Sequence, residues 1–252
     1  MEPRIIAVVN QKGGVGKSTT AINLSACLAS QGFKTLLIDF DPQANASSGL
    51  GQTANGKCIY DSLINKQPLS KLISKSSMNN LFLAPSSLEL AGAEIELVSA
   101  LSRETKLKNG IEKIKTDYDF IIIDCPPSLG LLTVNALTAA TEILIPVQCE
   151  YYAMEGLSKL LESINLIKNN LNTDLKISGI LMTMQDRRTN LSKEVIAEVT
   201  NFFNDKVFKT VIPRSVKLSE APSFGKPIIK YDRKSKGAEA YQGLTKEVLA
   251  NG

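Results

Sequence analysis

The sequence predicts an α/β fold, a mostly parallel twisted sheet flanked by helices, on three observations. Short, nearly continuous runs of β-branched residues alternate with segments of helical apolar spacing, the pattern of repeated strand-helix units. The first run leads straight into a glycine-rich loop and then a helix. Two later runs end in carboxylates, where ligands bind in open α/β sheets. With 252 residues, 43% of them apolar, the chain can bury one sizeable core, and a single domain over residues 1–252 is expected.

Taken in order, Ile5-Ile6-Ala7-Val8-Val9 reads as the first buried strand. A helix over Ser18–Gln31 follows, with Ile22, Ala26, Leu28 and Ala29 at helical spacing and Gly32 as its stop. Thr35–Ile38 is the second strand, and the polar stretch Gly51–Ser77 reads as an irregular insertion over one sheet edge. Leu81–Leu83, Phe120–Ile123, Ile143–Val147 and Ile177–Thr183 continue the strands, and Val207–Val211 is a further candidate. Helices are expected near Leu101–Lys115, Met154–Asn169, Asn190–Asn204 and Gly237–Leu249.

Composition removes several classes of function. The chain has no histidine, which excludes Ser-His and Cys-His nucleophiles and imidazole metal ligation. Its four cysteines are scattered with no C-x-x-C pair, so they are expected as reduced, buried hydrophobes rather than a zinc site. No run of about 18 apolar residues and no leader pattern occur, so a cytoplasmic protein is expected. Charge is uneven: residues 187–236 carry twelve Lys/Arg against five Asp/Glu, a local +7 in a chain of net +4. A polyanion partner and an ordinary solvated surface both fit that excess.

After the first strand comes Asn10-Gln11-Lys12-Gly13-Gly14-Val15-Gly16-Lys17-Ser18-Thr19. Its glycines let backbone N–H groups turn inward around phosphate oxygens, and the helix start adds its positive dipole end. Lys17 is placed to reach the β/γ-phosphates and the Ser18 hydroxyl to bind Mg²⁺. The usual first glycine of such loops is replaced by Gln11, and a second lysine, Lys12, stands inside the loop. Asp39 and Asp41, at i and i+2 on an extended segment, point the same way, unless Asp41-Pro42 only makes a turn. Asp124, closing an apolar strand before Cys125-Pro126-Pro127, has the form of a Walker B carboxylate that holds Mg²⁺ through water.

The pattern K-G-G-x-G-K-[ST] resembles that of P-loop NTPases of the deviant Walker A type, the ParA/MinD ATPases. Asp39–Gln43, Asp124–Gly130, Pro146–Tyr152, Lys209–Arg214 and Glu220–Pro227 narrow the resemblance to the chromosomal ParA/Soj partition ATPases, in that family's order and over nearly the whole chain. The resemblance implies ATP and Mg²⁺ as ligands, and binding by Lys12, Gly13, Gly14, Val15, Gly16, Lys17, Ser18 and Thr19. It implies that Lys12 reaches a partner's phosphates across a nucleotide-sandwich homodimer, much as an arginine finger does. It further implies that Asp41 orients the attacking water, that Asp39 supports the metal shell, and that Pro213 and Ser215 contact adenine. Two departures stand out: Ala44 replaces the usual Gly, a change expected to be harmless, and Ser215 replaces a frequent Asn.

The same resemblance implies non-specific double-stranded DNA as a partner. The contacts would be drawn from Arg187, Arg188, Lys209, Arg214, Lys217, Arg233, Lys234 and Lys236. It implies a ParB-like centromere-binding protein that stimulates an otherwise weak ATPase, and a nucleoid-associated location. The rivals are a MinD-like positioning ATPase and a metabolic enzyme on the same fold. The ending Gly243–Gly252 is too short and too weakly basic for a lipid-inserting helix, so no membrane partner is expected. Neither Cys125 with Cys149 nor any small-substrate constellation favours the enzyme. With the first strand starting within a few residues of Met1, an operator-reading module is not expected either.

Overall fold

The computed structural model describes residues 2–54 and 56–251. Its sheet is built from β1 (Arg4–Val8), β2 (Thr35–Asp39), β3 (Ser74–Lys75), β4 (Leu81–Ala84), β5 (Phe120–Asp124), β6 (Glu142–Gln148) and β7 (Lys176–Thr183). They lie in the order β3-β4-β2-β5-β1-β6-β7, and every neighbouring pair is parallel except β3 with β4. The central strands are apolar at successive positions because helices cover both faces, as parallel sheets require. Register decides where the chemistry lands: Val8 lies opposite Asp124, and Asp124 opposite Asp39. The ends of β1, β5 and β2 are therefore flush.

Helix α1 (Lys17–Ser30) starts directly from the loop after β1 and is buried on nearly all sides. The helices α2 (Asn45–Gly49), α3 (Ile59–Leu63), α4 (Leu90–Glu96), α5 (Lys106–Ile111) and α6 (Leu131–Ala139) follow, then α7 (Ala153–Asn170) and α8 (Asn190–Phe203). The chain closes with α9 (Val216–Glu220), α10 (Ile228–Tyr231) and α11 (Lys236–Ala250). Two apolar cores result. One joins α1, α9, α10 and α11 to Ile6, Val8, Leu37 and Ile122 on one face of the sheet. The other joins α3 to α8 to Ile5, Ala7, Ile38 and Ile123 on the opposite face. The four cysteines are free and buried, as expected.

Four sequence expectations need correction. Val207–Val211 makes only an isolated bridge from Val207 to Ile180. The Lys209 and Thr210 amides donate to the Glu247 carboxylate at 2.7 and 2.8 Å instead of to a strand. The helix expected over Leu101–Lys115 shrinks to α5, because Ser102 adopts a left-handed φ of 51°. Asn135 also accepts from Leu107 N and donates to Arg103 O, capping the chain there. The stretch Gly51–Ser77 is not irregular throughout: it folds α3 and supplies β3, which does border the sheet edge. Finally, α6 escaped sequence reading because it is buried on most sides and lacks the polar stripe of an amphipathic helix.

Candidate nucleotide-binding site

The loop after β1 is held by two neighbouring strands, β6 and β7. Val9 N donates to Leu144 O at 3.1 Å, and the Asn10 side-chain amide donates to Pro146 O at 2.7 Å, tying its start to β6. Asn10 Oδ1 in turn accepts from Lys12 N at 2.9 Å. From β7, Thr183 Oγ1 donates to Val15 O at 2.9 Å. Gly14 and Gly16 take φ of 76° and 92°, values that cost a side-chain-bearing residue about 1–2 kcal/mol each. The loop glycines therefore set the path of the backbone as well as opening it.

Lys17 is 6% exposed, and its ammonium donates back to Lys12 O at 3.0 Å. Burial pulls its pKa below the ordinary value, while Asp124 and Asp41 act against that. Such a lysine lies close above the loop floor rather than in solvent. Lys12 takes a different course, and its ammonium forms an ion pair with Glu150, just beyond β6.

Asp39, Asp41 and Asp124 come together as their strands require, and their environments differ. Asp39 is fully buried; its Oδ2 accepts from both Ser47 N and Ser47 Oγ at 2.7 Å, and its Oδ1 from Asp41 N at 3.3 Å. Burial still raises its pKa to about 6, Ser47 and Asp41 N opposing that shift and the Asp41 charge adding to it. Both oxygens of Asp39 are thus already engaged. Asp41, 6% exposed, accepts from Gln43 N at 2.9 Å and faces the loop cavity.

Asp124 is the unusual one. It is fully buried, and among the described residues neither of its oxygens meets a partner within hydrogen-bond geometry, although the Ser18 hydroxyl stands beside it. Burial pushes its pKa well above the carboxylate range, and the charge of Asp39 adds to that, against Ser18 and Lys17. Buried polar groups are almost always satisfied, so two orphaned carboxylate oxygens near the Ser18 hydroxyl fit a divalent cation.

The loop opens on a cavity of about 370 Å³ lined by Gly13, Gly14, Lys17, Ser18, Asp41 and Pro127. A second cavity of about 410 Å³, lined by Ile212, Pro213, Arg214, Ser215 and Tyr241, shares Gly16, Thr19, Met184 and Pro222 with the first. The two cavities thus adjoin, and Pro213 and Ser215 stand in the second. Sequence reasoning missed Ser47, Met184 and Pro222 as site residues. Met184 adopts a left-handed φ of 55°, which nothing in its neighbours announces, whereas Pro222 lies in a segment already quoted for the resemblance. Ala44 also takes a left-handed φ, 52°, so the replacement of Gly there is not neutral for the backbone.

Of the basic residues, Arg188 and Arg214 both act on the Asp186 carboxyl. Arg187, Arg188, Lys209, Arg214, Lys217, Arg233, Lys234 and Lys236 are all exposed. Arg188 pairs with Asp186 at 2.7 Å and holds that carboxyl well below its usual range. Lys217 pairs with Glu220 at 3.4 Å and lies 5.5 Å from the Tyr231 ring centre. Arg214 borders the second cavity. Arg233, with Lys230 and Lys246, borders a separate cavity of about 650 Å³ at the far end of α1.

Among the described residues, no helix is long and apolar enough to cross a membrane. A sequence-family profile described as an AAA domain matches residues 3–177. The chain is 59% identical to the sporulation initiation inhibitor protein Soj of Bacillus subtilis over 251 residues, 99% of each chain. It is 54% identical to the chromosome partitioning protein ParA of Myxococcus xanthus, covering 98% of this chain and 88% of that one. Among solved structures, cobyrinic acid a,c-diamide synthase of Mycobacterium smegmatis, with bound ATP analogue and magnesium, superposes with a TM-score of 0.86. It shares 36% identity, over 98% of this chain and 94% of that one.

Proposed function

Because the chain belongs to the ParA/Soj family of chromosome-partitioning ATPases, we propose that it is an ATP- and Mg²⁺-dependent switch between a free subunit and a DNA-bound dimer. The observation that carries the reading is Asp124: a buried carboxylate whose oxygens lack a partner in hydrogen-bond geometry among the described residues, beside the Ser18 hydroxyl and opposite Val8, at the end of the strand that leads into the loop. In this reading Ser18 and Asp124 hold Mg²⁺, which neutralises phosphate charge when bound. Lys17 and the loop amides take the β- and γ-phosphates, and Asp41 orients the attacking water. Asp39, locked by Ser47, acts on the metal shell from behind instead of as a direct ligand. Pro213 and Ser215 receive the adenine in the second cavity.

Lys12 completes the triphosphate cage of a second copy, so that ATP joins two protomers and hydrolysis parts them. The dimer doubles the basic surface offered to DNA and binds it without regard to sequence. A ParB-like protein at a centromere site stimulates a slow hydrolysis, releasing the dimer from the nucleoid. The greater identity to partitioning proteins than to the synthase supports this over a metabolic role.

Sedimentation with plasmid DNA tests the switch. The wild type is expected to pellet with DNA in ATP but not in ADP or without nucleotide. Asp41→Ala should stay trapped on DNA with ATP, and Lys17→Ala should lose the nucleotide response. Equal pelleting in all three conditions would contradict the proposal.

A further inference from the structure

The charged end of Lys12 leaves its own loop for Glu150, two residues past the end of β6. Both backbones are referenced to that strand. On one side Lys12 N donates to Asn10 Oδ1, while the Asn10 amide is buried against Pro146 O of β6. On the other, Glu150 N donates to Gln148 O at 2.9 Å, and its own carbonyl accepts from Ala153 N at 3.0 Å at the start of α7. The intervening Cys149 N donates to Thr183 O at 3.1 Å, fixing the segment to β7 as well. Little backbone order is lost when the two side chains meet. The pair is nevertheless open to competition, because the Lys12 side chain is 53% exposed and that of Glu150 32%. Ion pairs this exposed shift an equilibrium by about fivefold at most.

We propose that Glu150 is a positioning residue that holds Lys12 in the free subunit, so that self-association exchanges one carboxylate for the partner's phosphates. The inference rests on the nucleotide-joined dimer proposed above. A single carboxylate competes poorly with a triphosphate, which offers more charge and more acceptor oxygens, but better with a diphosphate. Glu150 would therefore set the threshold that separates ATP from ADP.

The test is self-association measured by analytical ultracentrifugation, with Mg²⁺ and either ADP or a non-hydrolysable ATP analogue. Glu150→Gln keeps the size of the side chain and removes its charge. With the analogue its dimer should be tighter by about two- to thirtyfold, since each dimer breaks two such pairs. It should also begin to dimerise in ADP, and its advantage should narrow as salt rises from about 50 to 500 mM, where screening weakens the wild-type pair. Glu150→Asp, which keeps the charge, should stay near the wild type. An unchanged or weaker Glu150→Gln dimer, or a gain indifferent to salt, would overturn the role of Glu150. Lys12→Ala separates the two levels of the reading: if it abolishes dimerisation while Glu150→Gln changes nothing, only the holding role fails. If Lys12→Ala dimerises normally with the analogue, the nucleotide-joined dimer itself fails.

Discussion

Asp124 and Ala44 mark the two ways in which single residues of this site trade stability against geometry. Among the described residues Asp124 is buried with no partner in hydrogen-bond geometry for its oxygens, and Asp39 lies in register beside it. A buried, unsatisfied acceptor costs about 1–3 kcal/mol, more when charged. Asp124→Asn, which removes the buried charge but not the buried polar atoms, is therefore expected to raise the stability of the ligand-free protein at pH 7.5. It should also erase the extra thermal stabilisation given by Mg²⁺ with ATP, which paired melting curves would reveal. Ala44 sits at a φ of 52°, a left-handed position that costs a residue with a Cβ about 1–2 kcal/mol. Part of that cost is offset by the stiffer unfolded chain. Ala44→Gly should accordingly raise the urea midpoint by an amount equivalent to about 0.5–1 kcal/mol with an unchanged m-value. Lys17, Ser18, Asp41 and Asp124 could be nominated from sequence because each lies at the end of a readable strand or in the motif-bearing loop that follows one. Ser47 and Met184 could not, since their placement depends on a short helix and a left-handed turn that no periodicity encodes.

At the scale of elements, strands were read better than helices. Buried parallel strands announce themselves as unbroken β-branched runs, and four of them needed only an end residue adjusted. Long helices with one wet side, α7 and α8, were found, and so was the buried α1 because a glycine-rich loop and Gly32 mark its ends, whereas the buried α6 and the five-residue α2, α3 and α9 were not. The segment after α8 failed for another reason, because Glu247 of α11 takes the amides that a strand would use, a contact from far along the chain. That segment is instead seated through Phe208, whose ring lies over Gly179 of β7. A Cβ built at Gly179 would stand 2.5 Å from the Phe208 ring. Phe208 is itself only 4% exposed and has little room to withdraw. Gly179→Ala is therefore expected to cost about 1–3 kcal/mol by overpacking, read as a lower urea midpoint. If stability is unchanged, the ring is not confined as described.

At the scale of the molecule, fold class and family were both legible, because a loop, two carboxylate-ended strands and a basic last third occur in one order. The layout of the basic side was not: charge counting located the excess, but only folding shows that Arg214 and Arg233 border different cavities. In the DNA-binding reading proposed above, contacts drawn from these lysines and arginines should act through phosphate neutralisation. DNA affinity in ATP is thus expected to fall by about 10³-fold or more between 50 and 200 mM salt. The slope of log K against log salt should be about twice that seen without nucleotide, and equal slopes in a filter-binding series would refute paired protomers. Finally, a chain without histidine has no side chain that ordinarily changes charge between pH 5 and 8. The group brought into that window is Asp39, raised to about 6, beside an Asp124 raised further. For carboxylates shifted this way, the neutral form belongs to the fold: stability is gained below their unfolded values and lost as pH climbs through the folded ones. The advantage of Asp124→Asn should therefore shrink as pH drops from 7.5 to 5, when the native acid discharges itself. Acidification would then act as a competitor for magnesium from inside the protein, while the cationic exterior stayed as it was.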